Sequence, residues 1–131
     1  MLNWVKVRAE CTIHSVFKKL RCEIEADVSN RNGYLTESQI KNGVTFEVED
    51  KDDGFVVHRK GIDGSVGFAI FGSHIKAIGS AAAVDATIGM NDNGRCMLRM
   101  KESERIVELE NWQFRKKALE SLFFPDASLL A

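Results

Sequence analysis

The sequence predicts an α+β fold: an N-terminal helix, a six- or seven-stranded antiparallel meander sheet and a C-terminal helix, in two layers. Two changes of period carry this expectation. Apolar residues recur every three or four positions from Ile13 to Val28, alternate singly from Val44 to Met100, and return to helical spacing from Trp112 to Phe123. Turn sequences rich in glycine, asparagine and aspartate punctuate the alternating region. The only proline, Pro125, follows the last periodic segment and so breaks neither a helix nor a central strand.

In the first helix Ile13, Val16, Phe17, Leu20, Ile24 and Val28 form one apolar stripe, with Lys18, Lys19, Arg21, Cys22 and Glu25 opposite. It is expected over residues 12–31, ended by a left-handed glycine at Asn32-Gly33. Before it, Trp4, Val5 and Val7 read as a short strand or an arm. After it, Thr36 to Gln39 has capping-box spacing.

Strand alternation then places Phe46, Val57, Phe68, Ile70, Ile75, Ile88 and Leu98 on one face. The turns between them suggest the pairs Phe46–Val57, Val57–Phe68, Ile70–Ile75, Ile75–Ile88 and Ile88–Leu98, each apolar on both sides. Gly72-Ser73 fits a two-residue II′ hairpin. Ile106, Val107 and Leu109 fit either a seventh strand or an early helical start. Asn111 is the expected cap of the last helix, whose apolar side holds Phe114, Ala118, Leu119, Leu122 and Phe123.

At 131 residues, 44% hydrophobic and 28% charged, the chain suits a single domain over 1–131 with its own core. A net charge of -1 argues against nucleic acid as the partner. No apolar run reaches the ~18 residues of a membrane span, and the first ten residues lack the apolar run of a signal peptide. The expected location is therefore cytoplasmic. Three cysteines, an odd count with no close pair, read as plain thiols; Cys11 and Cys22 on one helix would stand ~16 Å apart.

The same parity displays Val56, His58, Lys60, Gly67, Ala69, Phe71, His74, Lys76, Ile78, Thr87, Gly89, Met97 and Arg99 on the outer sheet face. Polar and apolar groups mix there, and Gly67, Ala69 and Gly89 keep the middle low. Such a face serves as a subunit interface or a cleft floor; scattered apolar surface groups on a twisting sheet account for it equally well. The candidate binding residues are Phe71, His74, Lys76, Ile78, Thr87, Met97 and Arg99. Lys76 and Arg99 flanking Thr87 suggest an anion subsite, although alternating charges also simply keep a sheet hydrated.

Sites of other chemistry are not indicated. His58 and His74 are expected ~13 Å apart along the strands, too far to share a metal. Asp50-Lys51-Asp52-Asp53-Gly54 lacks the later ligands of a calcium loop. The glycines of residues 61–67 lead into a strand rather than the helix N-terminus that a phosphate cradle uses. Glu23, Glu25 and Asp27 read as a solvated surface balanced by Lys18, Lys19 and Arg21. Cys96 reads as a core residue. No spacing singles out a catalytic triad, so no catalytic residue, metal or cofactor is assigned.

The functional expectation is a non-catalytic cytoplasmic protein-interaction domain that self-associates through the open sheet face. The alternative is a small-molecule binder or enzyme with a pocket between sheet and helices, its reactive groups supplied by residues 33–43 and 80–83. Nucleic-acid binding through Lys60, Lys76, Arg95, Arg99 and Lys101 is the third reading.

Overall fold

The apolar stripe from Ile13 to Val28 and the one from Phe114 to Phe123 both end up on a single face of one continuous sheet. A computed structural model describes residues 2–79 and 83–125. The helices are α1 (Trp4–Glu10), α2 (Ile13–Asn32), α3 (Glu37–Lys41) and α4 (Asn111–Phe123). The strands are β1 (Thr45–Lys51), β2 (Gly54–Lys60), β3 (Gly64–Phe71), β4 (His74–Gly79), β5 (Ala83–Met90), β6 (Cys96–Glu102) and β7 (Arg105–Leu109). Every strand pairs with its neighbour in sequence, in the order β1 to β7, and all pairs are antiparallel. The segment Ile106 to Leu109, which suits either class, is the seventh strand.

Parity holds throughout the sheet. Phe46, Phe55, Val57, Val66, Phe68, Ile75, Ala77, Val84, Ala86, Leu98 and Leu109 are buried against Leu20, Ile24 and Val28 of α2 and the apolar side of α4. Phe55 stacks on Phe68 at 4.9 Å between ring centroids, and Phe17 of α2 leans on Phe55 at 5.4 Å. Each fully buried phenylalanine contributes on the order of 2–3 kcal/mol.

Register differs from expectation at three of the five strand pairs that the pattern specifies. Phe46 lies opposite Arg59, Val57 opposite Val66, and Ile75 opposite Ala86, while Ile70–Ile75 and Ile88–Leu98 stand as expected. Each slip is by two residues, which leaves every side chain on its face. Alternation is unchanged by such a shift, so the turn has to choose. Between β1 and β2 the choice is a two-residue turn, Asp52-Asp53, with Lys51 opposite Gly54. The hairpin at Gly72-Ser73 is the expected one: Phe71 faces His74, and Gly72 takes φ 61° while Ser73 stays negative.

Four local expectations are corrected. Residues 4–10 form a helix, because Asn3 caps it through the Lys6 amide. Gly33 is right-handed, φ -67°, since its amide closes α2 onto the carbonyls of Ser29 and Asn30. Glu110 caps α4, in a reciprocal pair with Gln113, and Asn111 accepts instead from Arg115. Cys11 and Cys96, 85 residues apart in sequence, form a disulfide with Cα atoms 5.5 Å apart; only Cys22 is a free, exposed thiol. The plain-thiol reading fails because folding sets the start of α2 beside the start of β6, which neither cysteine's sequence neighbourhood reveals.

Side chains also close the edges. β1 is an edge strand, and the outward-pointing Phe46 amide and carbonyl both bond to the Asn32 carboxamide at 2.9 Å. The open ladder is thereby satisfied at that point. Among the described residues no helix is long and apolar enough to cross a membrane.

Candidate functional site

On the outer face the ladders fix a two-dimensional array. One row runs Glu49–Val56–Gly67–Ile78, and the next runs Lys51–Gly54–Ala69–Lys76–Asp85, with Phe71 and His74 paired beyond them. Gly67 and Ala69 lack bulk, while Phe71 and Ile78 rise beside them, 53% and 58% exposed. The result is a shallow apolar trough of about 230 Å³ across β2, β3 and β4, with the Lys76 ammonium 5.4 Å from the centre of the Phe71 ring.

Three of the seven candidate binding residues line this trough, Phe71, Lys76 and Ile78, and His74 stands opposite Phe71 next to it. The other three do not belong to it. The Lys76–Thr87–Arg99 row does not form, because Lys76 lies opposite Asp85 rather than Thr87. Asp85 instead takes His74 Nδ1 at 2.6 Å and Lys76 Nζ at 3.7 Å. Thr87 still faces Arg99, but Arg99 binds Glu108 at 3.1 Å. An anion subsite there is neutralised by the protein's own carboxylates. Met97 is only 9% exposed. Its neighbours along the outer face, Arg95 and Arg99, are held in ion pairs with Glu110 and Glu108. Arg99 also lies flat over Gly89, its Nη1 2.6 Å from where a Cβ would be. That part of the low centre is filled.

Elsewhere on the face charges are paired as well. Lys60 meets Glu47 at 2.8 Å, which raises the Lys60 pKa. Glu49 accepts from Lys51 and contacts His58 Nε2, both at 2.8 Å, and these bonds, Lys51 first, hold its carboxyl below the usual range. Four of the five cations of the nucleic-acid reading, Lys60, Lys76, Arg95 and Arg99, therefore have carboxylate partners. No hydroxyl or thiol among the described residues bonds to either His58 or His74, so the two His–carboxylate pairs lack a nucleophile.

No family model, curated protein or solved structure matches the chain. Its chemistry is read from its own residues.

The acidic cluster of α2 has a role the pattern did not reveal. Arg115 of α4 binds Glu23 at 3.0 Å and Asp27, clamping the two helices. Arg21 joins Glu25 and Asp50; burial opposes its charge, but the bonds to Asp50 and Glu25 prevail and its pKa is raised. The other missed residue is Arg31. It continues the stripe Leu20–Ile24–Val28 by three residues and is 7% exposed. A cation at the end of an apolar stripe was the available signal. Of the residues proposed as sources of reactive groups, 80–82 lie outside the described residues.

Proposed function

We propose that this chain is a non-catalytic cytoplasmic binding domain that self-associates through its outer sheet face. The supporting observation is the uncovered trough: Phe71 and Ile78 stand half exposed beside the low strip of Gly67 and Ala69. A second copy is the occupant that this surface suits. Glu47, Glu49, Asp85 and Glu108 are each matched by a cation of the same face, so these carboxylates ask for no countercharge from a partner. Two such sheets packed at about 10 Å set the Phe71 and Ile78 of each copy over the trough of the other, in a self-complementary two-fold contact. The cytoplasmic location is part of this reading; the Cys11–Cys96 disulfide weighs against it, since such bonds persist in oxidising compartments.

Sedimentation equilibrium from about 1 to 100 µM, concentrations that span ordinary dimer affinities, tests the proposal. The wild-type chain is expected to dimerise, and Phe71→Ser with Ile78→Ser to weaken the dimer at least a hundredfold. A strict monomer at the highest concentration, or a dimer indifferent to both substitutions, would sink it.

A further inference from the structure

The side of the helices away from the sheet holds a larger groove, about 500 Å³, between the C-terminal half of α2 and α4. This is within the range of small-molecule sites. Tyr34, Trp112, Leu119, Phe123 and Phe124 give it apolar walls. Tyr34 is 82% exposed, Phe124 63% and Trp112 52%, an unusual gathering of large rings left in water.

Charge makes the groove specific. Of its lining cations, Arg115 is matched by Asp27 and Glu23, and Lys116 by Glu120 at 3.1 Å. Arg31 has no carboxylate partner among the described residues. Its guanidinium stacks between the rings of Phe46 and Phe124, 5.1 and 4.7 Å from their centres, and Nε donates to the Phe123 carbonyl at 2.8 Å. That bond satisfies one end of α4 and accounts for Nε alone. The two terminal amino groups bond to no described residue. Arg31 is only 7% exposed, and the space it lines is the groove. Burial lowers the Arg31 pKa, but a guanidinium keeps its charge at any ordinary pH. The groove therefore presents a planar cation, held against aromatic rings and unmatched by any carboxylate among the described residues, at the end of an aromatic wall.

We propose that this groove binds a small monocarboxylate with an apolar body, its carboxylate taken end-on by the two terminal amino groups of Arg31. An end-on guanidinium–carboxylate pair uses two parallel N–H···O bonds, and the stacking rings hold the fork in place before the ligand arrives. The body lies along Leu119 and Phe123 with Tyr34 and Trp112 at the rim. A phosphomonoester is a poorer match, because among the described residues the lining offers one unmatched positive charge against nearly two negative ones. The site is separate from the sheet face proposed for self-association, and either can fail without the other.

Octanoate and octanamide share a chain and a carbonyl but differ in charge, and both can be titrated into the full chain while amide and indole resonances are followed by NMR. Octanoate is expected to move the Trp112 indole and the Tyr34 and Leu119 amides, and to bind at least tenfold more tightly than octanamide. Arg31→Gln is expected to erase that difference. Equal affinities, no binding of octanoate, or shifts confined to β3 and β4 would overturn the proposal. If Arg31→Gln does not fold, the comparison of the two ligands on the wild-type chain decides, together with Trp112→Ala, which is expected to weaken octanoate at least threefold.

Discussion

Replacing Gly54 by alanine separates two strands that the rest of the sheet holds together. Gly54 opens β2 and lies opposite Ala69 of β3. A Cβ there would stand 3.0 Å from the Phe68 carbonyl carbon and 3.1 Å from the Ala69 Cα, and far inside van der Waals contact with the Phe68 oxygen. All three atoms belong to backbone, so no side chain can swing away. The strands must part locally. One or two ladder hydrogen bonds are then lost or stretched, at about 1 kcal/mol each. The Phe55–Phe68 stack immediately alongside loses about 1 kcal/mol more. The expected cost is about 2–3 kcal/mol, or a fall in Tm of about 7–11 °C for a chain of this length. Gly67→Ala is the internal control. Its Cβ would meet nothing nearer than 3.9 Å, and with φ outside the left-handed region the change is expected to be neutral or to stabilise by up to about 1 kcal/mol. Urea unfolding followed by circular dichroism, with the m-value checked for constancy, measures both. A Gly54→Ala loss below about 1 kcal/mol, or equal effects at the two positions, would refute the close-approach reasoning.

Two further outcomes follow from the contacts between elements. Arg115→Met strips the shared cation from Glu23 and Asp27, all three side chains at most 30% exposed, and is expected to destabilise by about 1–3 kcal/mol. Adding Glu23→Gln and Asp27→Asn should recover part of the loss in the same urea assay, and an unchanged midpoint in Arg115→Met would contradict the clamp. Cys96→Ser opens a link spanning 85 residues and is expected to remove up to about 4 kcal/mol. Thiol titration of the unfolded, unreduced chain should count one thiol, Cys22, and a count of three would show that the Cys11–Cys96 bond is absent.

The proposed surfaces differ in how far they could be read beforehand. Phe71, His74, Lys76 and Ile78 were legible because alternation assigns each residue of a strand to a face whatever the register. Thr87, Met97 and Arg99 were not. Thr87 faces Arg99 as expected, but a two-residue slip exchanged Thr87 for Asp85 beside Lys76, and the Arg99–Glu108 and Arg95–Glu110 pairs beside Met97 join β6 to residues the pattern had not placed. The partners of Arg31 and Arg115 were not legible for a related reason: Phe123, and Glu23 with Asp27, lie on the other helix.

What the sequence by itself determined is the set of elements and the side each residue faces. Periods of 3.6 and 2 are local properties of the chain, and the hydrophobic effect acts on them in any register. What only the tertiary structure decided is who meets whom across elements: the turn-set registers, the Cys11–Cys96 bond, the Arg115 clamp and the seating of Arg31 against Phe46, Phe123 and Phe124. Those depend on distances between residues far apart in sequence. Such distances exist only after the two helical stripes have closed over the sheet.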